Sequence, residues 1–498
     1  MPFSPIILWT DALIYFFVAI VFLIVCYVRR HEHLLTQWQR VGHNASGMSA
    51  LTMLFFFLIV GLLDTVHFRP ALDHKNNQGE TVYSVEVLSL LDVLATPLRT
   101  QVEKTYSAPL AAHLYAKETI EQADGSQIRT FARLAFGGAH LKDPENDRMA
   151  DIAERAIKGL ILGFSVWCAL FLCLILLLSR RKQQNFSQCL TVILRHSTEI
   201  SWHAILITLL ILLLLIGSVT SLAGYYHVLG TDKVGQDILY QALKSIRVAL
   251  VIGTLTTLIM LPFALLLGIT AGYFRGWADD VIQYIYTSLN SIPSVLLIAA
   301  AVLMMQVYIE THPDLFDTVA ARADLRLLFL CMILGITSWT SLCRLLRGET
   351  MKLRELEYIQ AAHAFGVSHW RIISRHILPN VMHIVLIATV MDFSGLVLAE
   401  AVLSYVGAGV DPSMISFGTM INAARLEMAR EPMVWWALLA AFSFMFTLVL
   451  SANLFADAVQ NALDPRNRTL RQRSNLPQNP GNEGNSESIT PSRSSPRS

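Results

Sequence analysis

Three groups of residues in this sequence have types and spacings that could do chemistry. Asp392 and Glu400 are carboxylates inside a long apolar run. An ionisable group at membrane depth costs at least about 2.5–3.5 kcal/mol, so its default reading is functional, facing protein or water. At eight residues apart the two lie about 80° from each other around a helix of 3.6 residues per turn. Both could face a bundle interior without touching, lining a pathway. Structural hydrogen bonding to a neighbouring helix is an equal alternative for each. Gly230-Thr231-Asp232, Gly235 and Asp237 read as a turn feeding an amphipathic helix at the outer surface, with Asp237 complementing the helix dipole. A plain turn is the alternative. The third group is Gln360-Ala361-Ala362, Gly366 and Leu378-Pro379. The small alanine pair lets another surface approach closely, so the chemistry on offer is docking. Here the alternative is an amphipathic connecting loop.

Catalytic patterns are missing. Gly42 and Gly47 have the spacing of a phosphate-binding loop, but Met48-Ser49 follows where Lys and Ser/Thr are needed to grip the β/γ-phosphates. No HExxH, CxxC or G-x-S-x-G pattern is present. The 15 histidines are scattered, and His31 and His33 sit in a basic loop where solvation explains them. No catalytic residue and no metal site is expected, and the net charge of +1 says nothing about partners.

The elements that must position these groups are membrane spans. Of the 498 residues, 54% are hydrophobic and 15% charged, with a mean hydropathy of +0.49. Soluble domains are about a quarter charged. The expected class is an all-α integral membrane protein. Nine transmembrane helices are placed at about 6–28, 47–68, 157–179, 202–222, 246–271, 285–308, 325–345, 381–405 and 434–457, each near the length needed to cross about 30 Å. The basic pair Arg29-Arg30 follows the first span instead of preceding it, so this is a retained anchor and not a secretory signal. With the N-terminus outside, Arg180-Arg181-Lys182, Lys352, Arg354, Arg371 and Arg375 all fall inside, as the positive-inside rule requires. Residues 69–156 have ordinary soluble composition and read as a small extracytoplasmic domain, mostly helical over 81–119 with a strand near Ile128–Phe136. That domain is read either as a receptor contact or as a packing insertion. The tail 464–498, rich in Pro, Asn, Ser and Arg, reads as disordered cytoplasmic chain. The six cysteines lie in or beside apolar runs and imply no disulfide framework.

Within 349–380, Gly366 suits a left-handed cap and Ser368 an N-cap, and Pro379 is expected to break the second helix. Two short helices joined at a tight glycine turn should therefore lie against the membrane.

In order and spacing, Gln360-Ala361-Ala362, Gly366 and Leu378-Pro379 resemble the EAA-x3-G-x9-I-x-LP coupling loop of ATP-binding-cassette (ABC) importer permeases, with Gln360 in place of the usual Glu and His376 in place of Ile. Three further patches resemble the dipeptide and oligopeptide (peptide/nickel) branch. Gly230, Thr231, Asp232, Gly235, Asp237 and Arg247 match GTD-x2-GRD and its following helix, with Gln236 and Gln241 where Arg is common. Gly272, Tyr273, Gly276, Asp279 and Pro293 match the next cytoplasmic turn and span, in which Tyr284 and Thr287 replace a charged pair. Glu400, Ala401, Leu403, Ser404, Gly407 and Gly409 match EA-x-LSFLG-x-G.

The resemblance covers roughly 200–466. It implies a type I importer permease core of six helices, the C-type half of a heterodimer, at 202–463. Residues 1–201 form an added module of three helices. The implied partners are a second permease subunit, two ATPase subunits using ATP and Mg, an extracytoplasmic solute-binding protein, a di- or oligopeptide substrate and membrane lipid, with no nucleic acid. The implied location is the bacterial inner membrane, with the C-terminus cytoplasmic. Gln360, Ala361, Ala362 and Gly366 would contact the ATPase, with Glu357 supplying charge. Nickel chelates as substrate, a secondary transporter and a membrane scaffold stay open as alternatives.

Overall fold

The computed structural model describes residues 3–75, 81–121, 127–182, 200–312 and 318–463. The tail expected to be disordered lies outside them. The chain opens with β1 (Phe3–Ile6), α1 (Trp9–Arg30), α2 (Glu32–His43) and α3 (Ala45–Thr65). There follow β2 (His67–Lys75), β3 (Thr81–Tyr83), β4 (Leu88–Ser89), α4 (Leu90–Leu94), α5 (Thr96–Thr100), β5 (His113–Glu121) and β6 (Gln127–Arg133). The remaining helices are α6 (Arg148–Lys182), α7 (Trp202–Ala223), α8 (Ile238–Phe274), α9 (Trp277–Ser291), α10 (Ser294–Thr311), α11 (Val319–Arg354), α12 (Glu357–Ala364), α13 (His369–Ile372), α14 (Leu378–Val406), α15 (Phe417–Glu427) and α16 (Trp436–Leu463).

Among the described residues, eight helices are long and apolar enough to cross a membrane: α1, α3, α6, α7, α8, α10, the run His369–Val406 and α16. The ninth expected span, 325–345, lies within α11, which stands outside that set. Arg322, Asp324, Arg326, Arg344 and Arg347 charge its two ends, and a broad face from Leu327 to Cys343 is enclosed by protein. It still runs from one face of the molecule to the other beside α8. Asp324 at its start lies 3.6 Å from Arg247, and Gly272 at the end of α8 would meet Thr350 if it carried a Cβ. The backbones of α8 and α11 nearly touch, because a Cβ on Gly268 would lie 2.8 Å from the Cys343 carbonyl and one on Gly272 2.6 Å from that of Arg347. The G-x3-G spacing is thus used for helix packing. The expected span 285–308 is broken by Pro293 into α9 and α10, since proline cannot donate into a continuing helix.

Helix ends sort to two faces. Lys244 meets Asp64 at 2.7 Å, and Tyr226 donates to Asp151 at 2.8 Å, on one of them. On the other, Ser201 N–H donates to Gly42 O at 2.8 Å, and Tyr273 and His369 are hydrogen-bonded at 2.8 Å. The first is called here the outer face, the second the inner.

The segment 69–156 is not mostly helical over 81–119. Residues 81–119 hold only α4 and α5, five residues each, and the rest of that stretch is strand, turn and extended chain. In β5, Thr119 is suited to a pleated surface, and β5 pairs antiparallel with β6 in the register Thr119 to Arg129, close to the expected strand. A second sheet pairs β2 with β1, β3 and β4, all antiparallel. The fold is predominantly helical, as expected, and carries two small sheets on the outer face.

Buried charge ties α1, α3 and the start of β2 to α8 and α11. Arg247 of α8 donates to Asp11 of α1 at 2.7 Å, and Asp11 also pairs with His67 at 2.8 Å. Thr10 N–H donates to Asp324 at 3.1 Å. Lys244 lies 2.7 Å from Asp64 and 3.0 Å from Asp92. Such charges are tolerated when buried because each has an opposite partner.

Candidate coupling site

The stretch after α11 builds a small platform on the inner face. α12 closes with two hydrogen bonds, Gly366 N–H to His363 O at 3.0 Å and Val367 N–H to Ala362 O at 3.1 Å. This is the Schellman pattern, and it needs a left-handed residue, which Gly366 supplies at φ +73°. Ser368 occupies the N-cap position of α13, although its hydroxyl makes no capping bond. Ile359, Ile372 and Ile377 are buried, and Ala362 and Val367 pack against the same apolar cluster.

Pro379 does not end the second helix. A π-helical turn, Ile373–Ile377, carries α13 into α14, with Pro379 in the first turn of α14. Proline has no N–H and its ring crowds the carbonyl four residues back; the wider turn accommodates that, and a first-turn position needs no donor.

Glu357, Gln360 and Ala361 are exposed and Ala362 is half-buried, so the alanine pair is split between the exposed surface and the apolar support. Gln360 Nε2 donates to Glu355 O at 3.2 Å, and Glu355 is paired with Arg275. The platform also carries two bare aromatic side chains, Phe365 at 87% and Trp370 at 74% exposure. Sequence reasoning passed over both, though large aromatics in an otherwise polar stretch were the available signal. Beneath the platform, Arg354 donates to Tyr273 O at 2.6 Å, and Arg347 grips Asp279 through two bonds of 2.5 and 2.7 Å. The Arg347 hydrogen bond holds the Asp279 carboxyl below the usual range. The platform thus rests on the inner ends of α8, α9 and α11.

The second predicted patch is not at the open surface. Thr231 and Asp237 are buried beneath the chain around Glu103 and Ser107. Ser107 N–H donates to Thr231 Oγ1 at 2.7 Å, Thr231 donates to Thr105 O at 2.9 Å, and Trp436 Nε1 donates to Thr231 O at 3.0 Å. Gly230 and Gly235 both have positive φ. Asp232 accepts from Val234 and Gln236 N–H at 2.9 Å and from Gln241 at 2.7 Å, so the glutamine at 241 braces the turn. Asp237 caps α8 as expected, accepting from Leu239 N–H at 2.8 Å.

Its other oxygen holds His227 Nδ1 at 2.8 Å, while Nε2 lies 3.5 Å from Glu103, an ion pair longer than a hydrogen bond. Burial alone would lower the His227 pKa, but the bond to Asp237 and the proximity of Glu103 outweigh it and push it up to about 9. Burial would raise Glu103, but His227 and the three N–H donors of Ala135, Phe136 and Gly137 hold it down to about 2. The sign follows from linkage. The His227 contribution is complete below the ordinary pKa of 6.5 and is lost as pH rises through about 9. That of Glu103 is complete above 4.5 and is lost as pH falls through about 2. Thermal unfolding followed from pH 6.5 to 10 should show a decline that His227→Gln flattens; an equal decline in the variant would remove this triad from the account.

The two acids in α14 differ. Glu400 is buried and accepts from Ser404 at 2.7 Å and Ser416 at 2.8 Å, so it joins the end of α14 to α15. Asp392 is half-buried with no hydrogen-bond partner among the described residues. The structure does not bring the two together.

Residues 264–469 match the family described as binding-protein-dependent transport system inner membrane component. An oligopeptide transport system permease protein of Mycobacterium tuberculosis, OppC, is 34% identical over 249 residues, 50% of this chain and 79% of the relative. The glutathione transport system permease protein GsiD of Pectobacterium atrosepticum is 33% identical over 240 residues, 48% of this chain and 73% of the relative. The dipeptide transport system permease protein DppC of Bacillus subtilis is 27% identical over 242 residues, 49% of this chain and 69% of the relative. About half of this chain lies outside each match.

Proposed function

We propose, from the premise that this chain belongs to the binding-protein-dependent inner-membrane permeases of ABC importers, that it is the half of a peptide translocation pathway that takes its drive through Glu357–Trp370. The chain is a multi-pass membrane permease of that C-type family, which as a class does no chemistry itself and works with ATPase and substrate-binding partners. The finer composition is our reading: a second permease subunit, two ATPase subunits holding ATP and Mg, an extracytoplasmic solute-binding protein, and a di- or oligopeptide as cargo. So are the orientation, N-terminus outside and C-terminus cytoplasmic, and the division into a module at 1–201 and a core at 202–463.

The observation that carries this is the inner-face platform. It is rigid, because a Schellman cap and buried isoleucines hold it, and it presents Gln360, Ala361, Phe365 and Trp370 outward. Exposed aromatics of that kind anchor interfaces by filling a partner's pocket. Closure of ATP-loaded ATPases would push the platform, and through Tyr273, Arg347 and Arg354 the ends of α8, α9 and α11. ATP and receptor then bias one equilibrium reciprocally. Affinity capture with the full chain should bring down an ABC ATPase, and Phe365→Glu with Trp370→Glu should abolish capture while membrane insertion persists. Undiminished capture by the double variant would move the contact elsewhere.

A further inference from the structure

A crevice with charged residues set in a largely apolar lining opens between the added module and the core on the outer face. It has a cavity volume of about 480 Å³, within the ~300–1,000 Å³ range of small-molecule pockets. The module contributes Asp64 at the end of α3, His67 at the start of β2, and Glu86 between β3 and β4. The core contributes Lys244 and Arg247 from α8 and Asp324 from α11.

Most of these charges are matched, but not completely. Arg247 is 6% exposed, and its bonds to Asp11 and Thr10 use Nη2 alone. Nε is buried without a partner, and Nη1 has none among the described residues. A guanidinium carries five N–H donors, so most of its capacity is unspent. The first turn of α11 borders the same space through Val319 and Ala320, and the opening N–H groups of a helix favour a carboxylate. Across the crevice, Asp64 takes both Ser89 and Lys244 on Oδ1, which leaves Oδ2 open to a donor.

The lining sets three carboxylates, Asp64, Glu86 and Asp324, against two permanent cations, Lys244 and Arg247. A purely anionic ligand would meet the carboxylates, and a purely cationic one would leave Arg247 unmatched. We infer that this crevice binds a small zwitterion, an amino acid or short peptide with free ends, with its carboxylate toward Arg247 and the start of α11 and its ammonium toward Asp64. The site depends on the added module, and it stands whether or not the core transports peptides.

Calorimetric titration of the purified full chain tests it, using glycylglycine, N-acetylglycine and glycinamide as probes. Glycylglycine should bind saturably, and the two single-charge probes at least about tenfold more weakly, ~1.4 kcal/mol each. Ala320→Phe fills the crevice without removing any partner and should abolish binding. Arg247→Gln should weaken glycylglycine while leaving glycinamide as it was. No saturable binding of glycylglycine, equal binding by Ala320→Phe, or N-acetylglycine binding as tightly as glycylglycine would each overturn the assignment. Because the readout is binding to this chain alone, its failure leaves the ATPase-coupling reading untouched.

Discussion

Gly366→Asp is expected to insert and fold as the parent does, and to lose substrate uptake by at least about tenfold, a coupling loss of ~1.4 kcal/mol or more. The separation of effects follows from the site. Gly366 has φ +73° and nothing within 4 Å of where a Cβ would stand. Asp is among the few residues that visit the left-handed region readily, so the backbone cost is about 1 kcal/mol. Only the outward chemistry changes: a carboxylate is planted beside Phe365 on a surface read as an interface. ATPase activity of the assembled transporter should persist, no longer linked to uptake. Gly366→Asn, which keeps the backbone and adds no charge, should retain most transport. Normal uptake in Gly366→Asp, with expression and unfolding temperature unchanged, would take this turn out of the coupling interface.

Gly235→Ala should be far more damaging to structure, destabilising by about 3 kcal/mol or more. The added Cβ would lie 1.8 Å from Glu103 O and 2.9 Å from Glu103 N, at φ +80°. Neither atom can retreat. Glu103 N–H donates to Gly235 O at 2.9 Å, and its carboxylate is held by three further N–H groups. The expected readout is faster proteolysis within 81–147 and a lower unfolding temperature. Gly224→Ala is the control, since that glycine has no neighbour within 4 Å and ordinary right-handed backbone; it should be near neutral. Equal stability of the two variants would mean that the chain around Glu103 does not rest on this turn.

The inner-face platform was legible in sequence because its information is local. Gly366 can be read as a cap from the helix before it, and Ser368 as the next start, without knowing what lies nearby. Pro379 misled, since a proline flags an interrupted hydrogen bond but not the remedy. The chain used a π-helical turn, which depends on how Ile372 and Ile377 pack below. Phe365 and Trp370 were visible as letters, but only the fold shows that neither turns inward.

What the sequence determined by itself was the membrane character, the order of the spans and the identity of the core, because these rest on apolar run length and on short spaced motifs. Tertiary structure decided the rest. α11 crosses the molecule despite its charged ends, because Asp324 finds Thr10 and lies near Arg247, and Arg347 finds Asp279, in chain segments far away. The segment after α3 became largely strand and extended chain, because its backbone hydrogen bonds are made with β1, among its own strands and with residues 225–235. Glu400 became a hydroxyl-bonded joint while Asp392 has no hydrogen-bond partner among the described residues, though both look alike in an apolar run. Spacing along one chain reports which residues share a helix face; it does not report which distant charge or carbonyl will meet them.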